Sequence, residues 1–60
     1  MKVYEIQNTK DGARAYIYSP YDYQPGEIIY PHPDVHPALQ GHEVNRWRIV
    51  KLVGTSQPYI

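Results

Sequence analysis

The sequence predicts a mainly β domain: a small single-domain antiparallel sheet or SH3-like barrel of about four or five short strands, with a Pro-rich loop. Three observations predict it. Short alternating segments are separated by turn dipeptides such as Asp11-Gly12 and Pro25-Gly26. The aromatic residues are seven tyrosines and one tryptophan, with no phenylalanine, and tyrosine suits half-buried sheet faces. A chain of 60 residues has room for one small core, so residues 1–60 are expected to form one domain.

The first two strands are predicted to form a hairpin. Residues 2–7 alternate, with Tyr4 and Ile6 on one face. Residues 13–19 alternate as well, and the Asp-Gly pair at 11–12 is a strong turn signal between the two segments. An antiparallel pair joined by a tight turn follows from this spacing.

Proline separates the elements that follow. Pro20 ends the second strand because it cannot donate to a β-ladder. Residues 27–30 are predicted to be a short third strand. Three prolines exclude a strand from residues 31–41, which are expected to form a loop with one helical turn capped by Asp34.

The longest predicted strand covers residues 42–53. Its alternation slips within the strand, because Lys51 shares a face with Trp47, Ile49 and Val53, so a bulge or a sharp bend is predicted inside it. A helix over the same residues matches the i, i+3, i+4 pattern only in part, and β-branched residues favour the strand. Residues 54–60 are expected to be a flexible tail or to lie along a sheet edge. The predicted core surrounds Trp47 and consists of Tyr4, Ile6, Ile17, Ile28 or Ile29, Ile49 and Leu52.

Composition narrows the functional classes. Six basic residues balance six acidic ones, so the chain lacks the charge expected of a nonspecific duplex binder. It has no cysteine, hence no disulfide or thiolate metal site, and no apolar run long enough to span a membrane. No cofactor is expected. With no targeting segment recognised, the predicted location is the cytoplasm, either of a cell or of an infected host.

The proline-rich loop contains potential metal ligands. His32, Asp34 and His36 alternate, and His42 follows. In an extended segment, alternate side chains share a face, and imidazole with carboxylate suits zinc, nickel or copper. A plain polar loop explains the same residues, so a His-loop metal-binding protein is the weakest of the functional hypotheses.

Basic residues around the tryptophan suggest a second hypothesis. Arg46 and Arg48 flank Trp47, and Lys51 follows, so cations and a stacking ring could grip single-stranded nucleic acid. The competing interpretation places Trp47 in the core and pairs the arginines with Glu27 or Glu43.

Tyrosines give the preferred hypothesis, a small non-catalytic protein–protein interaction module. Tyr18, Tyr21 and Tyr23 flank the point where Pro20 ends a strand, and with Tyr30 and the proline-rich loop from Pro31 to Pro37 they are predicted to form the interaction face. Tyrosine is enriched at interface hot spots. The partner is another protein or a second copy of the chain, with the module acting as adaptor, inhibitor or subunit. Small phage and mobile-element genes encode such proteins, by analogy only. No nucleophile–base pairing or phosphate loop points to an enzyme.

Overall fold

The computed structural model describes residues 1–55. Its elements are β1 (Lys2–Asn8), β2 (Arg14–Ser19), β3 (Ile28–Ile29), a 3₁₀ turn (Pro37–Leu39) and β4 (Trp47–Thr55). The strands form one antiparallel sheet in the order β2-β1-β4-β3, which curls into a half-barrel. The predicted small antiparallel β domain is confirmed.

The β1–β2 hairpin forms where the turn signal placed it. Gly12 has φ +75°, a left-handed conformation that favours glycine. Its amide donates to the Asn8 carbonyl at 3.1 Å, and the Asp11 carboxylate accepts from the Ala13 amide at 2.8 Å. The Asn8 amide then donates to the Ala13 carbonyl at 2.8 Å and opens the ladder between the two strands.

Strand β4 contains the predicted irregularity. Its register against β1 shifts twice, so that Val50 and Val53 are the extra residues of two bulges. The strand begins later than predicted, because residues 42–46 bond to other loops instead of a ladder. The Asn45 side chain donates to the Pro31 carbonyl at 2.6 Å, and the Arg46 carbonyl accepts from the Thr9 amide at 3.0 Å.

The core lies inside the curl of the sheet. Its members are Tyr4, Ile6, Ile17, Ile29, Leu39, Trp47 and Ile49, with Ala15 and Tyr23 packed against them. All the predicted members are present except Leu52, whose assignment was wrong: half of it is exposed. Leu52 lies opposite Tyr4 in β4, but β3 pairs only with Trp47 and Arg48, so β3 does not extend beside it.

The helical turn was predicted in the right loop but with the wrong start. It begins at Pro37 instead of Asp34, and no side chain caps it. Proline suits the first position of a helix because its missing N–H has no partner there anyway. Leu39, at the end of this turn, enters the core and covers the open side of the half-barrel. Of the predicted tail, Gly54 and Thr55 belong to β4, and residues 56–60 lie outside the described part of the chain.

Candidate protein-binding groove

A groove opens between the end of β2 and the proline-rich loop, and it is called the tyrosine groove below. It encloses about 330 Å³. The four tyrosines selected from the sequence, Tyr18, Tyr21, Tyr23 and Tyr30, all line it. The fold therefore brings together four rings spread over thirteen positions of the sequence (18 to 30), as the protein-binding hypothesis requires.

The groove continues along β2. A second depression of about 370 Å³ shares Met1, Ile17, Tyr18, Val35 and His36 with the first. It extends the surface past Tyr16 on one side and past Pro37 and Ala38 on the other. One wall is therefore the β2 strand and the other is the proline-rich loop.

Tyr4 fixes the wall that carries Tyr21 and Tyr23. Its hydroxyl donates to the Tyr21 carbonyl at 2.7 Å and accepts from the Tyr23 amide at 3.0 Å. The Tyr4 ring is buried in the core and meets the Tyr23 ring edge-on at 5.3 Å. A buried side chain thus holds the backbone of an irregular segment in one place.

Ser19 and Lys2 hold the same segment at its start. The buried Ser19 hydroxyl accepts from the Tyr21 amide at 3.2 Å. The Lys2 ammonium lies 2.7 Å from the Asp22 carboxylate, and this hydrogen bond raises the pKa of Lys2 above its ordinary value. The groove wall is therefore ordered before any partner arrives, which lowers the entropy lost on binding.

The surface of the groove is mainly aromatic and apolar. Tyr18, Tyr21 and Tyr30 are 55%, 66% and 71% exposed, and Val35 is 70% exposed. No lysine, arginine, aspartate or glutamate lines it. Such a surface suits a partner that offers apolar groups and hydrogen bonds instead of charge.

The basic residues of the nucleic-acid hypothesis lie elsewhere and lack their stacking ring. Arg46, Arg48 and Lys51 are exposed, but Trp47 between them is fully buried. The predicted ion pairs of the arginines are absent from residues 1–55. Glu43 lies 2.6 Å from Lys10, and the Glu27 carboxylate accepts from the Gln24 amide at 2.9 Å.

The structure does not assemble the predicted metal site. Within residues 1–55, no three His, Asp or Glu side chains lie where they could share a metal ion. The hypothesis needed an extended segment, but the amides of Val35 and His36 both donate to the His32 carbonyl at 3.0 Å. This turn breaks the alternation that would have aligned His32, Asp34 and His36.

His42 instead joins a contact that sequence reasoning missed. Its Nδ1 donates to the Asp11 carboxylate at 2.7 Å, and its ring meets the Trp47 indole edge-on at 4.9 Å. No local sequence pattern predicts this pair, because Asp11 and His42 are 31 positions apart. The hydrogen bond from His42 holds the pKa of Asp11 below its ordinary value, and the Ala13 amide adds to the effect.

This shift predicts a pH dependence of stability. Because the pKa of Asp11 is lower in the folded state, its carboxylate stabilises the fold above the unfolded-state value of about 4 and loses that contribution as the pH falls. We expect wild type to lose more thermal stability than Asp11→Asn between about pH 5 and pH 2. Thermal melts across that range test this. A slope in Asp11→Asn equal to that of wild type would contradict this prediction.

A comparison with known proteins found no family model, curated protein or solved structure that matches this chain. Among the described residues there is no helix of the length and apolar character that crossing a membrane requires.

Proposed function

We propose that this chain is a non-catalytic interaction module that binds another protein in the tyrosine groove, as an adaptor, an inhibitor or a subunit of an assembly. The observation that supports it is the convergence of Tyr18, Tyr21, Tyr23 and Tyr30 on one groove whose other wall is the proline-rich loop. The cytoplasm is the proposed compartment, since a chain without cysteine gains no disulfide from an oxidising one.

The energetics favour binding by ring burial. Tyrosine gives a large contact area while ordering only a few torsions, and it keeps a hydroxyl for hydrogen bonds. The wall is already held by Tyr4, and prolines restrict the opposite loop, so little order has to be added on binding. With no charged side chain in the lining besides His36, binding is expected to depend weakly on salt.

The test compares variants of exposed residues inside and outside the groove. Tyr21→Ala and Tyr30→Ala remove exposed rings from the groove, and Leu52→Ala removes an exposed apolar side chain outside it. We expect each tyrosine variant to lower the recovery of a captured partner at least about tenfold, since tyrosine hot spots contribute 2 kcal/mol or more. Leu52→Ala is expected to bind as wild type does.

Two outcomes would contradict this function. Equal recovery of the same protein by wild type and both tyrosine variants, with all chains folded by NMR, would remove the groove as the binding surface. Binding of the chain to immobilised nucleic acid that is lost as the salt concentration rises, and lost in Arg48→Ala, would indicate a nucleic-acid-binding function instead. Tyr23 is a poorer choice for the test, because its ring packs against the core.

A further inference from the structure

Strand β2 is an outer strand of the sheet, and one row of its backbone groups has no partner within residues 1–55. The hydrogen bond from the Asn8 amide to the Ala13 carbonyl shows which residues of β2 direct their backbone groups toward β1. Hydrogen-bonded pairs alternate along antiparallel strands, so Ala15 and Ile17 direct their backbone groups toward β1. The N–H and C=O groups of Arg14, Tyr16 and Tyr18 consequently face away from the sheet.

This edge lacks three of the features that prevent edge-to-edge pairing in natural sheets. These are bulges, prolines and lysines. The free part of β4 has such protection, with bulges at Val50 and Val53 and with Lys51 between them. Strand β2 pairs with β1 in unbroken register over all six residues, and it contains neither proline nor lysine.

The outward row can pair with a second copy of itself about Tyr16. When two copies of β2 meet edge to edge in antiparallel orientation, Tyr16 stands opposite Tyr16 of the second copy. Arg14 then stands opposite Tyr18 of the second copy, and every outward N–H and C=O meets its complement. We propose that the chain forms a two-fold dimer by pairing β2 with β2 of a second copy, which joins the two sheets into one.

The side chains fit this register. Arg14, Tyr16 and Tyr18 share the exposed face of β2, with Tyr16 59% and Tyr18 55% exposed. The register places the two Tyr16 rings together, which is a favourable cross-strand pair, and sets Arg14 opposite the uncharged Tyr18 of the second copy. The Arg14 guanidinium keeps its bond to the buried Glu5 carboxylate of β1. No like charges face each other.

The dimer covers Tyr16 and Tyr18, which also line the groove, but it rests on the backbone of β2 and is tested with different residues from those that test the proposed function. The pairing uses the backbone of residues 14–18, whereas Tyr21 and Tyr30 lie outside β2 on other parts of the groove. Tyr21→Ala and Tyr30→Ala are therefore expected to leave the dimer unchanged. If these variants lose partner binding but still dimerise, partner binding and dimerisation depend on different residues.

Single cysteines test the register, because the chain has no cysteine of its own. Residues in a hydrogen-bonded antiparallel pair have Cα atoms about 5.5 Å apart, within the range that a disulfide spans. In Tyr16→Cys, oxidation is expected to link two copies at least about tenfold faster than in the exposed control Tyr30→Cys, because pairing raises the effective concentration of the thiols. A mixture of Arg14→Cys and Tyr18→Cys chains is expected to form mainly the mixed disulfide.

Sedimentation of the cysteine-free chain gives a second measurement. Wild type is expected to sediment increasingly as a dimer as its concentration rises, and Tyr16→Lys to remain monomeric, since it places two ammonium groups opposite each other. Tyr16 is exposed, so this change leaves the core intact. Equal linking rates in the two single-cysteine chains, or wild type monomeric up to about millimolar concentration, would overturn the dimer.

Discussion

Replacing Trp47 by alanine is expected to reduce the free energy of unfolding by about 3–5 kcal/mol, the usual range for a buried large aromatic side chain. The indole is fully buried, and its Nε1 donates to the Asn45 side chain at 3.1 Å. Asn45 in turn donates to the Pro31 carbonyl, so the indole also anchors the segment that leads into β4. A domain this small rarely has more than about 3–5 kcal/mol in total, so most of the variant should be unfolded.

Chemical denaturation followed by far-UV circular dichroism measures this loss without depending on the indole signal. Trp47→Phe is the matched control: it keeps a ring in the core but loses the bond to Asn45, and we expect a smaller loss of stability. A wild-type denaturation midpoint for Trp47→Ala would contradict the position of Trp47 at the centre of the core.

The sequence predicted those parts of the fold that depend on neighbours in the chain. The hairpin followed from alternation and from the Asp-Gly turn at 11–12, and both strands formed close to their predicted limits. The break in alternation within residues 42–53 predicted a bulge or a sharp bend, and β4 has bulges at Val50 and Val53. These signals are local, because side-chain period and turn chemistry act over a few residues.

Contacts between distant segments could not be predicted in this way. Leu39 enters the core from a loop whose prolines and polar residues indicated only exposure. Leu52 is exposed because β3 is too short to extend beside it. The residues of β4 do not show how long the neighbouring strand is. His42 was assigned as a potential metal ligand but bonds to Asp11, 31 positions away.

The candidate site was predicted in part. Tyr18, Tyr21 and Tyr23 were selected because they flank a strand end, with Tyr30 beside the proline-rich loop, and the structure places all four on one groove. The sequence did not show that Tyr4, a core residue, positions this wall through its hydroxyl. A tyrosine predicted to lie in the core needs a hydrogen-bond partner for its hydroxyl, and this need is the one sequence signal that points to such a role for Tyr4.

Asn8 connects three segments of the chain and is 2% exposed. Its side-chain nitrogen donates to the Val44 carbonyl at 2.7 Å, and its side-chain oxygen accepts from the amides of Lys10 and Asp11 at 2.9 and 3.2 Å. One amide group therefore satisfies backbone groups both in the hairpin turn and in the loop before β4. Both sides of this contact lie at the same end of the sheet, because Asn8 pairs with Trp47.

Asn8→Ala is therefore expected to lower the free energy of unfolding by about 1–3 kcal/mol, because it removes three hydrogen bonds made by a buried side chain. Asn8→Asp separates the two halves of the contact. Its carboxylate still accepts from the turn amides, but it cannot donate to the Val44 carbonyl and places a charge beside it, so most of the loss should remain. Denaturation curves measure both variants. Because amide hydrogen exchange reports local opening, it should be faster in Asn8→Asp at residues 42–46 than at Lys10. Wild-type stability in Asn8→Ala would show that water replaces these bonds at little cost and would contradict the role of Asn8 in joining the two loops.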